Sequence, residues 1–335
     1  MDTPALPEIV RDWVETAQRH PEVRGIALTG STARGDGWPG SDIDLYVLWS
    51  EERRAELPGL FMIGDDRYAD VHHLPVTELR RMQMDQAAFA ASIAVDECAG
   101  GLPLHDPDGL LHRWVATIAD RLARPDVWRA RGAARLAEAT GVLEAACRSA
   151  DAFESAMLVR DAGRLTAYAY VVGRGGLISS ARRFPERFCA KAQAGVAAAF
   201  YRVWGLGGGR PGVEAAIAGL RRTIRHTLAA YAQHPPLPGE PGWAGAYRAA
   251  TADGREAMIA EHPLPLLVEP AVAHGFHDGA LLWMRGFYNW RLGEILGPLP
   301  RPQWPIADLE AFHGLMGDEE QQCRDFLAQV HGALR

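Results

Sequence analysis

The chain has 335 residues, 48% hydrophobic and 23% charged, with a formal net charge of −7. That length suits two compact units, each with its own core, and the composition excludes a disordered chain. No apolar run reaches the roughly 18 residues of a spanning helix, and MDTPALPEIVRDW carries acids where a secretory signal is basic and then apolar, so a cytoplasmic protein with no membrane partner is expected.

Residues 7–19 place Ile9, Val10, Trp13 and Ala17 at helical spacing, and Pro21 ends the pattern. VRGIALTG at 23–30 and IDLYVLW at 43–49 read as buried strands, with YADVHHL at 68–74 a shorter, more polar third. Asp65 and Asp66 just before it fit a turn. Residues 76–98 read as helix and LPLHDPDG at 102–109 as turn. Beyond that, helical patterns cover 110–123, 127–148, 151–173, 183–204, 212–232, 243–261, 277–296 and 306–334, broken by GLGGGRPG, HPPLPGEPG and GPLPRPQWP. The expected fold is an α/β domain with a mixed sheet over 1–108, a helical domain over 109–235, and a helical extension or third subdomain over 236–335.

Charge divides along the same line. Residues 1–105 net −9 and the remainder +2, so a nucleic-acid partner, which needs a broad positive surface, is disfavoured against a small cationic acceptor. Cys98, Cys147, Cys189 and Cys323 form no CxxC pair and read as reduced thiols.

In the stretch LTGSTARGDGWPGSDIDLYVL, 28–48, a tight Gly-Ser turn follows one apolar run and two aspartates with one residue between them start the next, and neither feature serves a core. In a strand, Asp42 and Asp44 share a face while Ile43, Leu45 and Val47 take the other. Two carboxylates about 7 Å apart by Cα repel unless a cation sits between them. Magnesium binds such oxygens and leaves positions open for phosphates, and a pair of ions clamps both oxygens of an in-line phosphoryl displacement. Gly30 permits a tight turn and close approach of a phosphate, beside the Ser31 hydroxyl and the free N–H groups of a helix start.

Gly30, Ser31, Ala33, Arg34, Gly35, Ser41, Asp42, Ile43, Asp44 and Leu45 closely resemble the G-S-x-A-R-G … S-D-I-D-L signature of the DNA polymerase beta-like nucleotidyltransferase superfamily. The likeness covers about residues 7–110 and is strongest to the small bacterial branch with kanamycin and streptomycin nucleotidyltransferases and minimal nucleotidyltransferases. It implies two Mg2+ ions on Asp42 and Asp44, with ATP or another NTP held by Gly30 and Ser31 and touched by Arg34 and Ser41. A third carboxylate is usual on a neighbouring strand. Asp70 is the candidate, as metal ligand or general base, and shares a face with His72 while His73 lies opposite.

Residues 160–191 net +5, and by the same resemblance Arg182 and Arg183 are the best triphosphate contacts, with Lys191 a weaker one. A solvated helix face explains that charge equally well. Glu97, Glu154 and Asp161 could recognise a cation or act as base; a helical-domain glutamate does so in the kanamycin branch. Trp283, Phe287 and Trp290 fit a core stripe better than a stacking platform.

The implied reaction moves a nucleoside monophosphate, AMP in the first instance, from NTP to a hydroxyl of a small molecule such as an aminoglycoside, which would confer antibiotic resistance. Two alternatives remain. Arg221 and His226, with four residues between them in RRTIRH, match a helical ribonuclease spacing found beside minimal nucleotidyltransferases in toxin–antitoxin systems, where protein or tRNA would be modified. A nucleotide-binding module without catalysis is the other, against which the intact Asp42 and Asp44 speak.

Overall fold

A computed structural model describes residues 6–37, 41–50, 57, 59–63, 67–178, 183–238, 242–254, 268, 271–296, 298–300, 303–315 and 317–334. Asp65, Asp66 and Arg182 lie outside these residues. The described chain divides into two units, residues 1–137 with 166–180 and 330–335, and residues 138–165 with 181–329. The Gly/Pro breaks at 108 and 235 do not coincide with this division, because long helices contribute residues to both units.

In the first unit α1 (Glu8–Ala17) leads into β1 (Val23–Thr29), the short α2 (Gly30–Arg34), β2 (Ile43–Trp49), β3 (Leu60–Ile63) and β4 (Arg67–Pro75). Three short helices follow, α3 (Val76–Met84), α4 (Gln86–Ala91) and α5 (Ala94–Cys98), then β5 (Leu102–His105), α6 (Leu110–Leu122) and the long α7 (Pro125–Arg148). The sheet order is β3-β4-β2-β1-β5. β2 and β4 pair in parallel and the other neighbours antiparallel, which makes the sheet mixed.

Strand alternation sorts the side chains. Ile26, Leu28, Ile43, Leu45, Val47, Trp49 and Val71 pack with Val10, Val14 and Ala17 of α1. On the other face Ala27, Tyr46, Leu48 and Leu74 pack with Leu79, Met82, Phe89, Val95 and Trp114 of the helices that follow. Each fully buried aliphatic side chain contributes about 1.5–3 kcal/mol, so both layers are held by ordinary apolar burial.

Two strands escape the sequence reading. β3 is only four residues long, and β5 is an edge strand containing Pro103, whose missing N–H only an edge tolerates. The helix expected over 76–98 is broken instead into three. Asp85 leaves helical geometry and its carboxylate caps α4 by accepting from the N–H of Ala87 at 2.8 Å and Ala88 at 3.3 Å.

The second unit is helical. It takes residues from α7 and from α8 (Ala152–Gly173), and contains α9 (Phe184–Lys191), α10 (Ala194–Trp204), α11 (Gly209–Gln233) and α12 (Gly242–Ala249). The helices His277–Leu296 and Ile306–His313 and most of Glu319–Leu334 belong to it too. The single helix expected over 183–204 breaks where Gln193 turns extended, and that over 306–334 breaks after Gly314, in left-handed geometry at φ +61°. Phe184, Phe188, Phe200 and Phe326 form an aromatic core. Among the described residues no helix is long and apolar enough to cross a membrane.

Candidate active site

β1 ends at Thr29, directly opposite Asp44 in the antiparallel register. The chain then turns at Gly30 in left-handed geometry, φ +65°, and a Cβ there would lie 1.8 Å from Asp44 Oδ2. Only glycine lets that carboxylate lie against the backbone. Two hydrogen bonds tie this turn to the start of β2: Thr29 Oγ1 donates to the Asp44 carbonyl at 3.3 Å and Thr32 Oγ1 to the Asp42 carbonyl at 3.2 Å. Ser31 is buried, and its Oγ has no hydrogen-bond partner among the described residues. A Cβ on Gly37 would lie 3.7 Å from the Oγ of both Ser31 and Ser41, so the two hydroxyls flank that glycine.

The parallel pairing of β2 and β4 sets Asp44 beside Asp70 and Tyr46 beside His72. Asp42 Oδ2 accepts from the Tyr68 hydroxyl at 2.9 Å, and Ser41 is held by its carbonyl, which accepts from Arg67 Nε at 3.1 Å. Neither Tyr68 nor Arg67 was singled out from the sequence; their use follows from a strand register that no local motif announces. Burial pushes the Asp70 carboxyl above its usual range, the charge of Asp42 adds to that, and His72 opposes it. His72 Nε2 lies 3.7 Å from Asp70 Oδ2, and its ring stacks on Tyr46 with centroids 5.1 Å apart and planes 16° apart. His73 points to the opposite layer, where its Nδ1 accepts from Trp49 Nε1 at 2.8 Å.

Glu97 on α5 reaches the same face. The Tyr46 hydroxyl donates to Glu97 Oε2, and burial raises the Glu97 carboxyl, with Asp96 and Asp70 raising it further and His72 and the Tyr46 bond lowering it. Asp42, Asp44, Asp70 and Glu97 therefore form an acidic face on which His72 lies beside Asp70. Arg34 lies on α2 with Nη1 buried and without a hydrogen-bond partner among the described residues, and its Nε is 3.7 Å from Asp36 Oδ1.

The remaining candidates belong to the second unit. Arg183 precedes α9 with its guanidinium over the Phe276 ring at 5.4 Å, and Lys191 is exposed at the end of α9. Glu154 is exposed in the first turn of α8, where its carboxylate accepts from Ser149 Oγ at 2.7 Å and its N–H donates to Asp151 Oδ1 at 2.8 Å, a helix-start arrangement. His226 pairs with Asp308, which also binds Arg222 at 3.0 Å. Arg221 and His226 are about 140° apart around α11 and so face different ways.

Hard carboxylate oxygens are the donor chemistry a magnesium ion takes, a cation would relieve the repulsion that Asp42 adds to the burial of Asp70, and the Gly30 cradle with the unpartnered Ser31 hydroxyl suits a phosphate. The residues present fit the group in kind. Among the described residues no three His, Cys, Asp or Glu side chains gather closely enough to enclose an ion, and Asp42 is turned to Tyr68.

Residues 12–70 match the family model described as polymerase beta, nucleotidyltransferase, a span from α1 through Asp70. The mixed sheet with its Gly-Ser turn and this match give the N-terminal region a nucleotidyltransferase-type fold, followed by a mostly helical region. Among solved structures the chain is similar to a nucleotidyltransferase-like protein from Exiguobacterium sibiricum 255-15, at 14% identity over 59% of this chain and 66% of that one, with a TM-score of 0.27. The chain thus spans just under two thirds of that protein's length, and a likeness of this size carries no argument. No curated protein sequence matches the chain significantly.

Proposed function

We propose that the chain is a magnesium-dependent nucleotidyltransferase that moves a nucleoside monophosphate, AMP in the first instance, from an NTP to a hydroxyl of a small acceptor and releases pyrophosphate. The observation that carries this reading is the parallel register that sets Asp44 beside Asp70, on the face of Asp42 and against the Gly30–Ser31 turn. Asp42, Asp44 and Asp70 would hold the metal, which when bound neutralises the phosphates and the charge developing on them. Gly30, Ser31, Arg34 and Ser41 would hold the triphosphate. The acceptor oxygen attacks the α-phosphorus, its proton passes to a carboxylate, and the bond from the α-phosphorus to the bridging oxygen of pyrophosphate breaks. Asp70 serves as that base if Asp42 and Asp44 alone hold the metal; burial raises its carboxyl in the metal-free chain.

The assignment of Arg182, Arg183 and Lys191 to the triphosphate, and of Glu154 to the acceptor, rests on the resemblance. The net −9 of residues 1–105 favours a cationic acceptor, and aminoglycoside-type antibiotics are the class to test first. A cytoplasmic setting belongs to the same reading. Purified protein with ATP, Mg2+ and a panel of hydroxyl-bearing antibiotics should release pyrophosphate and yield acceptors heavier by one NMP. Labelled protein or tRNA in place of a small molecule would favour the toxin–antitoxin alternative. Nucleotide binding with no transfer to any acceptor would favour the binding module.

A further inference from the structure

In the second unit two helices end at the same place. α10 closes at Trp204 with Gly205 left-handed at φ +58°, and the helix Ile306–His313 closes with Gly314 at φ +61°. Their free carbonyls are taken by two buried arginines. Arg285 donates from Nε to the Phe312 carbonyl at 3.1 Å and from Nη1 to the Trp204 carbonyl at 2.6 Å, and Arg160 donates from Nη2 to the Gly314 carbonyl at 3.1 Å. The guanidinium groups are neighbours: a Cβ at Gly205 would lie 3.3 Å from Arg285 Nη1 and 3.7 Å from Arg160 Nη2.

Capping explains those bonds and leaves others unexplained. Arg160 Nε and Nη1 and both ring nitrogens of His313 are buried with no hydrogen-bond partner among the described residues, although Arg160 is 3% exposed and His313 2%. The indole Nε1 of Trp204 is buried and unpartnered as well, next to Gly163, one turn along α8 from Arg160. The carboxylate acting on Arg160 is Glu319, whose oxygens accept from the Gly317 N–H at 3.2 and 3.0 Å. Among the described residues two guanidiniums face one carboxylate, which leaves their surroundings positive. That field is felt by the group packed against it: burial and the charges of Arg160 and Arg285 hold His313 well below its usual range.

Buried donors in native proteins find acceptors, and buried charges find counter-charges. We propose that Arg160, Arg285, His313 and Trp204 form an enclosed site for a small tetrahedral oxyanion of the phosphate or sulfate class. An oxyanion supplies several acceptor oxygens for the unpartnered N–H groups and the negative charge the cluster lacks. The four side chains are all nearly inaccessible, and a site closed in this way suits a small ion better than a nucleotide. All four belong to the second unit, and none is among the residues assigned above to the metal, the triphosphate or the acceptor.

The test uses the full chain. After dialysis into chloride, acid-denatured protein is analysed by ion chromatography, and thermal unfolding is followed with phosphate and with sulfate at matched ionic strength. The expectation is either about one oxyanion released per chain or a saturable rise in Tm of about 2–4 °C once the ion is well above its Kd. Arg160→Met and, should that variant fail to fold, His313→Phe and Trp204→Phe should weaken the response at least about tenfold, one lost charge-assisted bond or more. Asp42→Asn should keep it. Neither bound ion nor a saturable shift would overturn the site, leaving ordered water on these donors. So would a shift unchanged in the Arg160, His313 and Trp204 variants, or one abolished by Asp42→Asn, which would place the anion at the nucleotide site.

Discussion

Single residues bear the tightest constraints. Gly30 and Gly35 both sit at positive φ, +65° and +69°, but a Cβ at Gly30 meets Asp44 Oδ2 at 1.8 Å while nothing lies within 4 Å of one at Gly35. Gly35→Ala should therefore cost only the left-handed penalty, about 1–2 kcal/mol. Gly30→Ala adds overpacking for a total of about 2–5 kcal/mol and displaces the Asp44 carboxylate. Denaturant unfolding of the two variants measures the difference. Glu97 gives a pH prediction. Its carboxyl is raised in the folded chain, chiefly by burial. Below the unfolded value of about 4.3 it is protonated in both states and costs nothing; as pH rises through the folded value, ionisation in the folded state costs stability. Glu97→Gln should therefore raise Tm at pH 7, and the gain should vanish near pH 4. A gain independent of pH would show that charge is not the cause.

The pairing of Asp42 with Asp44 was legible because strand alternation has a period of two and turn chemistry marked both ends of the run. The neighbour relation of Asp44 and Asp70 needed only one further strand. Tyr46 and Glu97 were harder: the first looked like one more apolar strand residue, and the second sits on a helix whose end is decided by Ser92 and Ile93, not by any hydrophobic period.

At the scale of elements, α5 is anchored by a buried ion pair. Asp96 and Arg131 are both fully buried and bonded to each other, and Asp96 Oδ1 also accepts from the Ile178 N–H at 3.3 Å. The pair joins α5, α7 and the segment after α8 within the first unit. Removing one partner strands a buried charge, so Asp96→Ala should cost about 3–5 kcal/mol, while an apolar replacement of both partners together should cost much less. A double-mutant cycle by chemical denaturation reads both numbers. Because α5 carries Glu97 and Cys98, Asp96→Ala should also disturb the Tyr46–Glu97 bond. The edge strand β5 was not legible, since its pairing partner β1 is distant in sequence, and the break between α4 and α5 was not, since it rests on Ser92 and Ile93 and on no change of hydrophobic period.

For the whole molecule, the fold class was read correctly from the change at about residue 108, where strands give way to helices. The two units divide the chain at other positions than the Gly/Pro breaks, since α7 and α8 contribute residues to both. The proposed function rests on a small part of the chain: an acidic sheet face beside a Gly-Ser turn, within the 12–70 span that matches the nucleotidyltransferase family model. The proposed chemistry makes that face inert without a cation, because its carboxylates repel a triphosphate. Chelation should therefore abolish nucleotide binding while leaving the thermal transition in place.

The most direct measurement is calorimetric titration of the full chain with ATP, with and without Mg2+, for the wild type and for Asp42→Asn and Asp44→Asn. The account predicts binding that requires Mg2+ and drops at least about tenfold, about 1.4 kcal/mol, in each variant whose circular dichroism is unchanged. Binding that persists without Mg2+, or that is equal in the wild type and both variants, would contradict it.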